Sequence, residues 1–205
     1  MVLEALTGTG LAASAGLNAY IPLLTMGLLA RYSDLMDLPS GWQWLSNGWV
    51  ISILAVLLAI EVVADTVPIV DHVNDVVQTV VRPTAGGLAF GAGSSSETVT
   101  VSDPAAFFSS HQWVPIAAGV VIALAVHGVK AAARPVVNAS TAGVGAPVAS
   151  TAEDFSSVVL SVLAIVLPVL VLIGIVLFIV AAVVILRRRR EKRRNGGVPT
   201  GRLFG

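Results

Sequence analysis

The stretch WVISILAVLLAIEVVADTVPIVDHVNDVVQTVVRP, residues 49–83, decides the fold. Its first part is an apolar run long enough to cross a bilayer as a helix. Its second part puts Glu61, Asp65, Asp71, Asp75, His72 and Arg82 where that span should be finishing. Placed on a helix after Pro68, residues Asp71, Asn74, Asp75, Gln78 and Arg82 fall at i, i+3, i+4, i+7 and i+11, which is a single stripe, with valines over much of the remainder. The acids are therefore gathered on one face.

The rest of the chain has the same character. Of its 205 residues 56% are hydrophobic and 12% charged, with mean hydropathy +0.88, outside the range of a soluble domain. Strong apolar runs lie at 6–30, 49–64, 113–129 and 158–186. The last would be about 43 Å long as a straight helix, so Pro168 is the expected kink. An all-α polytopic integral membrane protein follows. MVLEALTGTG carries an acid and no basic residue before the first run, so the first helix is expected to be retained and not cleaved as a secretory signal. Cysteine is absent from the sequence, which excludes disulfides, thiolate metal sites and cysteine catalysis.

Charge is distributed unevenly. Residues 1–186 carry 4 basic and 11 acidic residues, and 187–205 carry 8 basic and 1 acidic. The tail RRRREKRR, beginning with Arg187, Arg188, Arg189 and Arg190, stops the last run and is expected on the cytoplasmic side, against anionic lipid headgroups. Nucleic-acid binding is not expected of it. The chain divides into one helical membrane domain, 1–186, and a disordered basic tail, 187–205. Trp42, Trp44 and Trp49 lie in a loop suited to an aromatic belt at headgroup level.

Two stretches, 66–93 and 130–150, are neither good spans nor good loops. Each belongs to a unit with the shared order WV, apolar run, polar stripe, RP, TAG, so 49–93 and 113–150 are candidate repeats. With four passes and a cytoplasmic tail, Lys130 and Arg134 would lie outside, against the positive-inside bias. If 66–93 and 135–150 also cross as short polar or Gly/Ala-rich passes, both basic residues fall inside. The preferred topology is therefore about six passes, with four as the fallback.

His127, Lys130, Arg134 and Asn138 repeat the steps 0, 3, 7 and 11, with Pro135 expected to break or kink their helix. One stripe is acidic and the other basic. Each ionisable group at membrane depth costs roughly 2.5–3.5 kcal/mol on insertion scales, so the stripes should meet each other, a wet cavity or the interface. They read either as helix–helix ion pairs or as a polar pathway. A defined metal site is not expected: Asp71 and Asp75 converge, but His72 points about 100° away on a helix. In the first run Gly8, Gly10, Ser14 and Gly16 make a thin surface for helix packing. Asn18 continues that surface, and with Pro22 it could instead mark a broken helix lining a cavity.

The combination GLAASAGLNAYIPLL, then E-x-x-x-D-T-x-P-x-x-D-H-x-N-D, then V-x-R-P-x-A-G-G, resembles the bacterial membrane family catalogued as domain of unknown function 4126, over roughly residues 5–150. The resemblance implies a small multi-span protein of the bacterial plasma membrane and implies no activity. The chain carries no GxSxG or HExxH signature, so an enzyme is not expected, nor is a cofactor. The expected function is a transporter or channel for a cation, proton or small polar solute. The alternative is a structural or regulatory membrane protein glued by its charges. The small number of spans favours a homodimer in the lipid bilayer.

Overall fold

The computed structural model describes residues 2–66, 68–94, 111, 113–141, 145–174 and 176–177. Within these the side chains of 66, 68–73, 75, 135, 136, 138–140 and 146 are outside the described set. The architecture is all-α. Helices α1 (Val2–Leu17), α2 (Tyr20–Tyr32), α3 (Gly48–Thr66), α4 (Pro68–Gly93), α5 (Trp113–Thr141) and α6 (Gly145–Val166) follow in order, with a 3-10 helix at Ser40–Ser46. Residues 1–171 form one compact unit; the chain from 172 onward is a second, helical where described.

Local chemistry sets the boundaries. The run 6–30, apolar throughout apart from a few small polar residues, is two helices and not one. The Asn18 side-chain oxygen accepts the backbone N–H groups of Tyr20 (3.0 Å) and Ile21 (3.2 Å), donors that the start of α2 would otherwise leave unpaired. Asn47 does the same for Trp49 at the start of α3, at 2.9 Å. Pro68 opens α4 at the one position where its missing N–H costs nothing. The run 158–186 is interrupted at Leu167, the residue that Pro168 disfavours from helical backbone. Its helix begins earlier than hydropathy suggests, at Gly145.

Three helical segments among the described residues are long and apolar enough to cross a membrane: Gly48–Asp65, Trp113–Arg134 and Pro147–Val166. The segment 66–93 is, from 68 onward, a single helix of 26 residues. The segment 135–150, read as a pass of its own, is divided between the end of α5 and the start of α6. Helix α5 continues past Pro135 to Thr141, so the break expected there does not occur.

Polarity is inverted relative to a water-soluble bundle. On α3 the exposed residues Trp49, Ile53, Val56, Ile60 and Val63 form one apolar stripe, while Leu54, Glu61 and Asp65 are buried. On α4, Val76, Val77 and Val80 face outward, and Gln78 and Arg82 face the interior. An outer surface of branched aliphatics around a charged interior is stable when lipid tails cover that surface.

The core is built on small residues. α1 buries Gly8, Gly10, Leu11, Ala12, Ser14, Ala15 and Gly16 and packs on α4, α5 and α6. α4 and α5 share the most extensive helix contact and cross at Gly86 and Gly119, where a Cβ on Gly86 would lie 2.8 Å from the Gly119 carbonyl oxygen. Trp44 and Trp49 are exposed, while Trp42, expected beside them at headgroup level, faces inward. It is 4% exposed and packs its ring against Gly91 of α4, which has no side chain to exclude it.

Candidate functional site

The Asn18 side chain both breaks the first apolar run and reaches across the bundle. Its Nδ2 donates to Asp154 Oδ1 of α6 at 2.9 Å. One residue earlier, the Leu17 carbonyl at the end of α1 accepts from Lys130 Nζ at 3.3 Å. A helix end inside the bundle is thus tied to a carboxylate-bearing helix and to a lysine. One turn below, Ser14 Oγ meets Ser157 Oγ at 2.6 Å and Ser161 Oγ at 2.7 Å, all three fully buried.

Around this break lies a charged cluster drawn from α3, α4, α5 and α6. Glu61 Oε1 accepts from Arg82 Nη2 at 2.9 Å, and both side chains are essentially inaccessible. Arg82 Nη1 lies 3.3 Å from His127 Nδ1, and His127 Nε2 lies 3.3 Å from Thr79 Oγ1. Guanidinium nitrogens only donate, so Nδ1 must accept and the ring proton sits on Nε2, facing Thr79. Asp65 is shared. Its Oδ1 accepts from Asn74 at 2.8 Å, and its Oδ2 lies 3.5 Å from Arg134 Nη2 and 4.0 Å from Lys130 Nζ. Lys130 is closest to Glu153, at 2.7 Å, and Arg134 also donates to Ser150.

The two stripes therefore meet through Arg82 and His127, and Asp65 of α3 bridges to the second through Arg134 and Lys130. Glu61, Asp65, Asn74, Gln78, Arg82, His127, Lys130 and Arg134 gather in one cluster. The side chains of Asp71, Asp75 and Asn138 are outside the described residues, as are Arg187 to Arg190. Gly8 packs against Phe90, Gly10 against Ala164 and Val171, and Gly16 against Ala123 and Val126. Ser150, Glu153 and Asp154 were not singled out from the sequence. A signal was present: Ser150, Glu153, Asp154, Ser157 and Ser161 fall at steps 0, 3, 4, 7 and 11, the same stripe as in α4, at the junction between a stretch that reads as neither span nor loop and an apolar run that begins only at 158.

Several buried polar atoms of the cluster have no hydrogen-bond partner among the described residues, including Glu61 Oε2, Gln78 Oε1 and Arg82 Nε. Among the described residues no group of three or more His, Asp or Glu side chains is arranged to hold a metal ion.

These features define a polytopic helical membrane protein with a buried charged centre beside a broken helix. Residues 5–188 match the family described as Domain of unknown function (DUF4126), and the chain belongs to it. The match extends through α6, beyond the 5–150 region that carries the motifs. Searches of curated proteins and of solved structures found no match.

Proposed function

We propose that the protein is a small transporter or channel-like protein of the bacterial plasma membrane, carrying a cation, proton or small polar solute past its charged centre. The supporting observation is the convergence of Glu61, Asp65, Arg82, His127, Lys130 and Arg134 on the break between α1 and α2. Interrupted helices expose backbone groups at membrane depth only where protein or a polar site receives them. Burying several ionisable groups is expensive, and their retention fits a site whose charge is used. In this reading the protein is not an enzyme and binds no cofactor. The basic tail lies in the cytoplasm against anionic headgroups, and two copies associate in the bilayer.

The test is flux into proteoliposomes containing the purified protein, compared with Asp65→Asn. This variant keeps an oxygen for Asn74 but removes the charge shared by Arg134 and Lys130. Flux by the parent chain and its loss in the variant, with insertion unchanged, is the expected result. Equal flux in both would sink the proposal.

A second reading, a structural membrane protein held by internal ion pairs, is favoured by the close Glu61–Arg82 and Lys130–Glu153 contacts. It predicts no flux in the parent chain, and stability that recovers when Asp65→Arg is combined with Arg134→Asp.

A further inference from the structure

Glu61, Gln78 and Arg82 are the most deeply buried polar side chains of the cluster, each at most 2% exposed. They belong to one neighbourhood: Glu61 grips Arg82, and Gln78 precedes Arg82 by one helical turn. Each has an atom without a partner among the described residues. Two are acceptors, Glu61 Oε2 and Gln78 Oε1, and one is a donor, Arg82 Nε. Leaving such groups unpaired is costly when they are buried. The acceptors call for hydrogen-bond donors and the Arg82 N–H calls for an acceptor.

Charge narrows the ligand further. The Glu61 carboxylate is already matched by Arg82 at 2.9 Å, so a second full cation seated between them would face the Arg82 guanidinium. An anion would face the Glu61 carboxylate. A neutral molecule that both donates and accepts meets all three atoms without adding charge. We infer that Glu61, Gln78 and Arg82 form a subsite for a small neutral donor–acceptor solute, of the amide, urea or polyol class or water itself. This deepens the proposed transport function and rests on it.

Stopped-flow light scattering on proteoliposomes separates the outcomes. Water, formamide, urea and glycerol are the neutral probes; potassium and methylammonium, followed by ion-sensitive dyes, are the cationic ones. The expected result is protein-dependent entry of at least one neutral probe and none of the cations. Gln78→Leu should lower that rate about three- to tenfold, as losing one neutral hydrogen bond predicts. Water entry without solute entry would identify water as the ligand and still support the subsite. Cation entry without neutral entry would overturn the inference and leave the transport function standing. No protein-dependent entry of any probe would remove both. Should Gln78→Leu fail to insert, Gln78→Met serves in its place, and an unchanged rate in an inserted variant overturns the assignment.

Discussion

Arg82 is fully buried and divides its guanidinium between Glu61 and His127. Truncating Glu61 to alanine strands that charge, and breaking one side of a buried pair costs about 3–5 kcal/mol. Replacing both partners with apolar residues, Glu61→Leu with Arg82→Met, removes the charge and its counter-charge together, and most of that loss should return. Reversible unfolding in bicelles measures the difference. A single variant as stable as the parent would show that Arg82 is not held by Glu61. The His127 ring takes its orientation from the same arginine, because only an unprotonated Nδ1 can face a guanidinium N–H.

At the scale of helices, the α4–α5 crossing depends on two glycines. A Cβ at Gly119 would meet the Gly86 backbone and lie 2.5 Å from Phe90 Cβ. Gly119→Ala should therefore cost about 1–3 kcal/mol through overpacking. Gly128 lies on the same helix with nothing within 4 Å of its would-be Cβ. Gly128→Ala should be neutral or stabilising by about 0.5–1 kcal/mol, the usual helical advantage of alanine. Equal effects of the two substitutions would contradict this crossing. Helix existence was legible in residues 49–64 and 113–129 because long apolar runs leave no alternative in lipid. The break at Asn18 was legible only as a second option, since hydropathy is blind to a side chain that caps a neighbouring helix. Glu153 and Asp154 escaped because they fall between the short pass expected at 135–150 and the apolar run that starts at 158, and their helical stripe becomes visible only once 145–166 is known to be one helix. Trp42 was misplaced because an aromatic belt and an aromatic buried on a glycine have the same local sequence.

Over the whole molecule, the apolar surface is the outside. Ile53, Ile60 and Val80 are well exposed in the absence of lipid, while Glu61 and Gln78, their neighbours in sequence, are buried. In this natively cysteine-free chain, single cysteines at 53, 60 and 80 carrying a fluorophore should be quenched by brominated lipid tails. Quenching by aqueous iodide instead would place water, not lipid, against α3 and α4. The interior also carries a timetable. Glu61 meets Arg82 only 21 residues later, but Asp65 waits 69 residues for Arg134, and Asn18 waits 136 for Asp154. At about 5–20 residues per second of synthesis, that last interval is roughly 7–27 s. For that time the nascent chain holds Asn18 without the carboxylate that α6 will bring, and Asp65 waits about half as long for Arg134. A chain stalled before residue 150 therefore lacks the α6 partners of both Asn18 and Lys130.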